Sequence, residues 1–218
     1  MLDTLIQYDQ GLLLSLNRHH TPLWDVVMLT LTGTSFWLLF YAVLMYFICK
    51  RFKLKAIVAL LLVGAGIALS DQASDLCKHI VERYRPTHDV GIRHLVHNVG
   101  SRGGLWSFFS AHAANTFTVA MFTSLLFGNR RYYFMLFVWA ALVSYTRIYL
   151  GLHYPLDILT GAIVGILSGW LMYRVFCFFE RDPFRQKRLK NKDAGYIGLT
   201  LVCMLFAALM TAKITLKL

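Results

Sequence analysis

Long stretches without a formal charge dominate the pattern of hydrophobic and polar positions in this chain. Residues 26–49, for example, form a run of 24 residues without Asp, Glu, Lys or Arg. A helix needs about 20 mostly apolar residues to cross a hydrocarbon core of about 30 Å, so such a run is long enough to span a membrane. The pattern predicts six transmembrane helices, over residues 26–49, 56–76, 108–129, 132–152, 157–179 and 194–212.

The first 24 residues carry a shorter apolar pattern. Leu5, Leu12 and Leu16 recur at roughly helical spacing, whereas Asp3 and Gln10 fall between them. This is typical of a helix lying along the membrane interface, with a partial re-entrant hairpin as the alternative. The predicted fold is all-α: a polytopic membrane helical bundle forming one domain over residues 1–218, with about six transmembrane helices and an N-terminal interfacial helix over residues 1–24.

The composition supports a membrane protein. Of the 218 residues, 57% are hydrophobic and only 15% are charged, and the mean hydropathy is +0.55. Soluble domains usually contain about 25% charged residues, and disordered chains are less hydrophobic still. The four cysteines are widely spaced and form no zinc or redox motif.

The excess of basic residues, 22 Lys and Arg against 11 Asp and Glu, lies mostly in three short loops between the predicted spans. Cytoplasmic loops of membrane proteins carry such an excess, so these loops are predicted to be cytoplasmic. The opposite side then holds both termini, the segment 71–107 and the turn around His153. A nucleic-acid partner is not expected, because the basic groups flank membrane spans. The loops contain Lys50, Arg51, Lys53, Lys55, Arg130, Arg131, Arg181, Arg185, Lys187, Arg188, Lys190 and Lys192.

Polar residues at the span ends form three clusters, all on the side opposite to the basic loops. Ionisable residues inside membrane segments are costly and are therefore functional candidates. The first cluster contains Lys78 and Arg85, seven residues apart and so able to point the same way on a helix. Pro86 disfavours helical geometry at the preceding residue, which places Arg85 at an expected helix end. A charged helix end that merely reaches the interface is the alternative.

The second cluster, Ser110, His112 and Asn115, lies at the start of the third predicted span. A helix N-terminus presents unpaired backbone N–H groups and a partial positive charge, which together bind anions. Ser110 adds a hydroxyl donor, and Gly103 and Gly104 upstream allow tight loop geometry. The alternative for His112 is a histidine that is only hydrogen-bonded near the interface.

The third cluster lies between the fourth and fifth spans. His153 and Asp157 are four residues apart and can meet if a helix begins near His153, with Pro155 in its first turn. A carboxylate on one ring nitrogen of a histidine fixes its tautomer and makes the other nitrogen a better nucleophile. Arg147 provides a planar fork of donors that suits phosphate oxygens. An ordinary helix cap with a salt bridge is the alternative.

Together the clusters indicate phosphate chemistry. Cations and a helix terminus collect an anion, while two histidines and a carboxylate supply a nucleophile and an acid. That set suits phosphoryl transfer through a covalent phosphohistidine. No carboxylate-rich magnesium site is evident in the sequence, so no metal or other cofactor is expected.

The spacings in these clusters resemble the three signature motifs of the type 2 phosphatidic acid phosphatase superfamily, the lipid phosphate phosphatases, in its bacterial membrane branch. The resemblance covers about residues 70–170. The motifs are lysine, six residues, then Arg-Pro (Lys78, Arg85, Pro86), Ser-x-His (Ser110, His112), and arginine, five residues, histidine, three residues, aspartate (Arg147, His153, Asp157).

The resemblance implies a role for each motif residue. His153 attacks phosphorus, Asp157 orients and charges it, and His112 protonates the leaving oxygen. Ala111 stands where the family commonly has glycine and Thr146 where serine is usual, which bears on substrate fit more than on chemistry. The phosphate-binding residues that it implies are Lys78, Arg85, Ser110, Ala111 through a backbone N–H, and Arg147.

The expected function is metal-independent hydrolysis of a phosphomonoester or diphosphate on a membrane lipid, with undecaprenyl pyrophosphate and lipid A favoured. A lipid-to-lipid phosphotransferase with the same site is the alternative, and an anion transporter is disfavoured because no internal repeat is visible. The expected partners are the lipid phosphate and membrane lipids, with no nucleic acid and no obligate protein partner. The expected location is a bacterial cytoplasmic (inner) membrane, with the active site on the outer, periplasmic face.

Overall fold

The computed structural model describes residues 2–179 and 189–217, which form a bundle of α-helices. These ranges contain no β-strand, so the predicted all-α class is confirmed. Four basic loop residues, Arg181, Arg185, Lys187 and Arg188, lie outside the described residues. Short 3₁₀ turns cover Thr34–Trp37 and Lys53–Lys55. The helices are α1 Leu2–Asn17, α2 Pro22–Thr32, α3 Leu38–Phe52, α4 Ala56–Val81, α5 Ala111–Phe127, α6 Arg130–Tyr149, α7 Pro155–Phe179 and α8 Asn191–Leu216.

The apolar helices suit an integral membrane protein. Within the described ranges, three helical stretches are long and apolar enough to cross a membrane: Thr34–Val81, Pro155–Phe179 and Asn191–Leu216. Helix α5 has 17 residues, and α6 includes three arginines. Large apolar side chains on the outside, such as Leu61 and Phe206, are well exposed, as expected where lipid covers the surface. The count of six spans stays a prediction.

The predicted span 26–49 is divided in the structure. Helix α2 ends at Thr32, Gly33 has extended backbone angles, and a 3₁₀ turn leads into α3. The indole of Trp37 makes the turn possible, because its N–H donates to the carbonyl of Leu31 at 2.8 Å. The ring is buried at 5.8 Å from that of Trp139 on α6, so apolar packing holds the break in place.

The first 24 residues also differ from the single predicted helix. Helix α1 stops at Asn17, and α2 begins at Pro22 after the N-cap Thr21. Proline is favoured at the first helical position because it has no N–H to leave unpaired. The buried amide of Asn17 donates to the carbonyls of His97 and Tyr149, at 2.9 and 2.7 Å, and anchors the end of α1.

Helix α4 ends earlier than Pro86 predicts. Its last residue is Val81, and Glu82 follows in a left-handed conformation with φ 48°. The chain then pairs with a distant segment instead of continuing as a helix: the N–H of Arg85 donates to Leu105 at 3.0 Å, and that of Ser107 donates to Arg83 at 2.8 Å. Arg85 therefore lies beyond the helix, next to an isolated bridge between Tyr84 and Trp106, and the expectation that it sits at a helix end is wrong.

Helices α5 and α7 pack backbone to backbone. Gly161, Gly165 and Gly169 lie on one face of α7, and a Cβ added to them would come within 2.5, 2.2 and 2.6 Å of carbonyl oxygens of α5 and its N-cap residue. Only glycine allows such an approach. This contact fixes the start of α5, with Ser110 and His112, against the start of α7, with Asp157.

Candidate active site

The loop after α4 carries Arg85 into the interior. Its Nε donates to the carbonyl of Trp106 at 3.1 Å and its Nη1 to that of Leu152 at 3.4 Å. Gly103 has φ +70°, and a Cβ on it would lie 2.8 Å from Arg85 Nη1. The tight loop predicted from Gly103 is therefore present, and it makes room for the guanidinium.

The start of α5 is built around Ser110, which is fully buried. Its hydroxyl accepts from the N–H of Ala113 at 3.5 Å and caps the helix, while its own N–H donates to the carbonyl of Asp157 at 3.1 Å. Ala111 and His112 are the first two helical residues, whose N–H groups have no acceptor within a helix. Alanine fits position 111 because helical backbone angles suit it.

The dyad of His153 and Asp157 forms across the start of α7, as its spacing predicts. His153 Nδ1 lies 3.6 Å from Asp157 Oδ2, and both side chains are almost fully buried. The same oxygen accepts from the N–H of Tyr154 at 2.9 Å and from the hydroxyl of Ser107. The Ser107 oxygen is itself 3.4 Å from His153 Nδ1. The carboxylate is thus held against one ring nitrogen of the histidine.

Burial controls the charge of the loop residues. It lowers the pKa of His153 to about 4, an effect that Asp157 opposes and that the positive charges of Arg85 and Arg147 reinforce. The imidazole is therefore neutral at pH 7, the form in which a ring nitrogen can act as a nucleophile. Burial also lowers the pKa of Arg85, although the charge of Asp157 counteracts it.

The other two predicted cations approach from different helices. Arg147 is buried at the end of α6, where its Nη1 donates to the hydroxyl of Thr32 at 2.9 Å. Its buried Nε has no hydrogen-bond partner among the described residues, so a donor remains for a ligand. Lys78, at the end of α4, is paired with Asp75 at 3.0 Å.

The structure brings the sequence-predicted residues to one place. His112 lies within electrostatic range of Lys78, Arg85, Arg147 and His153. Such a cluster can hold a dianion between a neutral histidine and three cations. Among residues 2–179 and 189–217, no group of three or more His, Cys, Asp or Glu side chains is arranged to hold a metal ion.

An apolar cavity of about 370 Å³ adjoins this cluster. His112 and Asn115 lie at its polar end, together with Thr32, the partner of Arg147. The remaining lining is mostly apolar and comes from α3 to α6, including Tyr41, Leu44, Ile48, Leu60, Val63, Ile67, Val119 and Val143. The site therefore combines a cluster of cationic side chains at one end with an apolar cavity.

Three residues around the dyad were not predicted from the sequence. Ser107 and Arg83 both donate to the carboxylate of Asp157, and Asp9 of α1 holds Arg83 from the other side. Arg83 lies inside the first motif, two residues before Arg85, which was the one available hint. Nothing local marks Ser107 or Asp9, because their partners are 50 and 74 residues away.

Fold and site together define a helical membrane protein with three cationic side chains clustered near a buried histidine. The PAP2 superfamily profile matches residues 53–181, more than half of the chain. The lipid A 4'-phosphatase of Bacteroides thetaiotaomicron is 40% identical over 177 residues, 79% of this chain and 79% of that protein. The lipid A 4'-phosphatase of Porphyromonas gingivalis is 31% identical over 97% of this chain and 94% of its own length.

A solved structure agrees with these sequence relatives. The crystal structure of Aquifex aeolicus LpxE superposes with a TM-score of 0.58 at 27% identity, covering 75% of this chain and 93% of that one. The chain belongs to the PAP2 superfamily, and the family expected from the three motifs is confirmed. It is a membrane phosphatase of the PAP2 type, a hydrolase of phosphate esters.

Proposed function

We propose that this PAP2 phosphatase removes phosphate from lipid A, at the 4'-position. The observation that carries the proposal is the apolar cavity that ends at His112, because it can take an acyl chain while the phosphate lies among the cations. Both curated relatives described above bear the name lipid A 4'-phosphatase. Undecaprenyl pyrophosphate, also favoured from the sequence, shares the required combination of an anionic head and an apolar tail.

The proposed first step makes a bond between Nε2 of His153 and phosphorus. Asp157 supports it, because its carboxylate lies 3.6 Å from Nδ1 and keeps the proton on that nitrogen. As the N–P bond forms, the P–O bond to the lipid breaks, and His112 donates a proton to the leaving oxygen. Water then attacks phosphorus, the N–P bond breaks, and His112 takes the proton from that water.

The oxygens of the transferred phosphate need donors throughout both steps. We assign Arg85, Arg147 and Lys78 to them, joined by the Ser110 hydroxyl and the backbone N–H of Ala111. The unpartnered Nε of Arg147 supports its assignment. Fixed donors of this kind stabilise the charge of the transition state without reorganisation.

The proposed topology has six spans, with the site on the periplasmic face of a bacterial inner membrane. The basic loops beside α3, α6 and α8 support it, since they would face the cytoplasm. Reporter fusions at Arg188 and Trp106 test the orientation. A periplasmic signal at Arg188 with a cytoplasmic one at Trp106 would reverse it.

The function is tested by phosphate release from detergent-purified protein on lipid A, undecaprenyl pyrophosphate and phosphatidate, with His153→Ala as the inactive control. Fastest release from lipid A, with loss of only the 4'-phosphate by mass spectrometry, is the expected result. Faster release from another lipid would overturn the assignment of substrate. Phosphate appearing on a second lipid and not in solution would instead favour the phosphotransferase.

A further inference from the structure

Arg83 lies between two buried carboxylates. Its Nη2 donates to Asp9 Oδ2 at 2.7 Å and its Nη1 to Asp157 Oδ1 at 3.1 Å. The two aspartate side chains are 1% and 0% exposed, whereas that of Arg83 is 20% exposed. The guanidinium also lies 3.7 Å from the ring centre of Tyr154, over its face. The Arg83 guanidinium is therefore hydrogen-bonded at two edges and stacked on one face, which leaves the side chain little conformational freedom.

Arg83 reaches Asp157 because two distant loop segments are paired. The N–H of Ser107 donates to the carbonyl of Arg83 at 2.8 Å, so the two residues lie side by side. Each sends its side chain to Asp157, Arg83 to Oδ1 and Ser107 to Oδ2. With the N–H of Tyr154 at 2.9 Å from Oδ2, three donors fix the carboxylate plane against His153.

Helix α1 completes the arrangement. Asp9 Oδ1 accepts from the N–H of Leu156 at 2.9 Å, in the first turn of α7. The next residue, Gln10, donates to Asp89 at 3.0 Å, and the hydroxyl of Tyr154 donates to the same carboxylate oxygen at 2.9 Å. Asp9 and Arg83 thus clamp the segment that carries both members of the dyad.

Arg83 differs from the cations assigned to phosphate. Both of its terminal nitrogens are occupied by carboxylates, and those two negative charges repel a phosphate dianion. Arg147, by contrast, keeps a buried Nε that bonds to nothing in the part of the chain that the structure describes. The contacts of Arg83 therefore point to the dyad and not to the substrate.

We propose that Arg83, held by Asp9, is a positioning residue that sets the Asp157 carboxylate for the attack by His153. It acts through Asp157 and does not touch the substrate. A carboxylate fixed in plane keeps the imidazole proton on Nδ1 and leaves Nε2 free to attack. The guanidinium also lies between Asp9 and Asp157, two buried carboxylates that would otherwise have no cation between them. The inference rests on the proposed function, since it assigns a part in the same reaction.

The test compares Arg83→Gln, Arg83→Lys and Asp9→Asn with Arg93→Gln, an exposed arginine of the same loop, as the control. Phosphate release from lipid A gives kcat and KM across pH, and size-exclusion chromatography gives the folded fraction. For Arg83→Gln we expect kcat to fall about tenfold to a hundredfold with KM changed less than about threefold, since misplacing a reacting group by 1 Å can cost a hundredfold.

The pH profile separates positioning from a structural role. The titratable and charged groups facing Asp157 are His153, Arg83 and Arg85, with Asp9 beyond Arg83. Without the Arg83 cation the acid limb of kcat should move to higher pH, because a positive charge that disfavours protonation of the dyad is lost. Arg83→Lys keeps the positive charge, so the acid limb should lie close to that of wild type. Its kcat should recover only in part, because one amine cannot bond both aspartates at once. Asp9→Asn keeps the Arg83–Asp157 pair and should lower kcat less than Arg83→Gln.

Three results would overturn the inference. The first is an unchanged kcat in folded Arg83→Gln. The second is a KM raised more than about tenfold with kcat intact, which would mark Arg83 as a substrate ligand. The third is a loss of kcat that matches the loss of folded protein while the acid limb of the pH profile stays in place. If wild type releases no phosphate from any lipid, the proposed function fails and the inference fails with it. If wild type is active and the Arg83 and Asp9 variants have the same kcat as wild type, the inference about Arg83 fails and the proposed function stands.

Discussion

Gly165 lies directly against the carbonyl of Ala114, so closely that a Cβ on the glycine would be 2.2 Å from that oxygen. The two residues belong to α7 and α5, the helices whose starts carry Asp157 and Ser110, a proposed phosphate-binding residue. Any widening of this contact separates Asp157 from Ser110, whose backbones are hydrogen-bonded at 3.1 Å.

Gly165→Ala should therefore impair both stability and catalysis. The methyl group meets backbone, which cannot rotate away, so we expect a loss of about 1–3 kcal/mol in the free energy of unfolding. Thermal unfolding in detergent measures it, and phosphate release should fall in parallel. Gly64→Ala on α4 is the control, because nothing lies within 4 Å of its Cβ. Equal unfolding temperatures for the two variants would contradict the backbone contact.

Activity should persist to unusually acidic pH for a histidine nucleophile. Burial lowers the pKa of His153 to about 4, so the free enzyme keeps a neutral imidazole well below pH 6.5. The acid limb of kcat/KM, which reports the free enzyme, should show no inflection at pH 6.5 from this group. A limb centred near 6.5 would mean that His153 is solvated.

The same shift makes stability depend on pH. Because the folded pKa of His153 is below the unfolded value of about 6.5, the unfolded chain binds more protons between the two values. The free energy of unfolding contributed by this group is therefore lost as pH falls through that window. His153→Gln should lose less stability than wild type between pH 7 and pH 4.5, measured by thermal unfolding. Parallel curves would contradict the prediction.

Arg147→Lys should be strongly impaired although its charge is kept. A lysine amine cannot bond Thr32 and still present the second donor that the guanidinium Nε provides. We expect kcat/KM to fall about 10²–10³-fold, the usual cost of one donor to a transition-state oxyanion. The matched control is Arg174→Lys on the exposed face of α7, which should retain activity. Similar rates for both variants would remove Arg147 from the phosphate site.

Filling the apolar cavity should discriminate between substrates. Val63→Trp on α4 adds an indole to the cavity wall. We expect kcat/KM for lipid A to fall about tenfold or more, because the indole excludes the acyl chain of the lipid. Hydrolysis of p-nitrophenyl phosphate, which has no acyl chain, should change little. Leu69→Trp on the outer face of α4 is the control, since this side chain is 46% exposed. Equal losses of kcat/KM on both substrates would show that the cavity does not hold the acyl chain of the lipid.

The spacing of the motifs was sufficient to predict much of the candidate site. The spacing of His153 and Asp157, four positions apart, and the helix start after Ser110 are local relations that the geometry of one helix fixes. The clustering of Arg85 and Arg147 with them follows once short-looped helices form a bundle. Their roles in catalysis await the experiments described above.

Other parts of the fold depended on contacts that no local pattern encodes. The break at Gly33 is stabilised by Trp37 packing on Trp139, and the early end of α4 by backbone pairing with residues 105–107. The partners in these contacts, Trp139 and residues 105–107, lie in other segments of the chain, and apolar periodicity describes one helix at a time and not its neighbours.

The sequence by itself determined the helical class, the phosphatase family and the order of the motif residues, since each depends on spacing along a single segment. Only the tertiary structure decided that Arg83 bridges Asp9 and Asp157, across 74 residues in each direction. It also decided that an apolar cavity ends at His112. Both depend on how separate helices meet, because a buried charge has to find its partner wherever packing brings one.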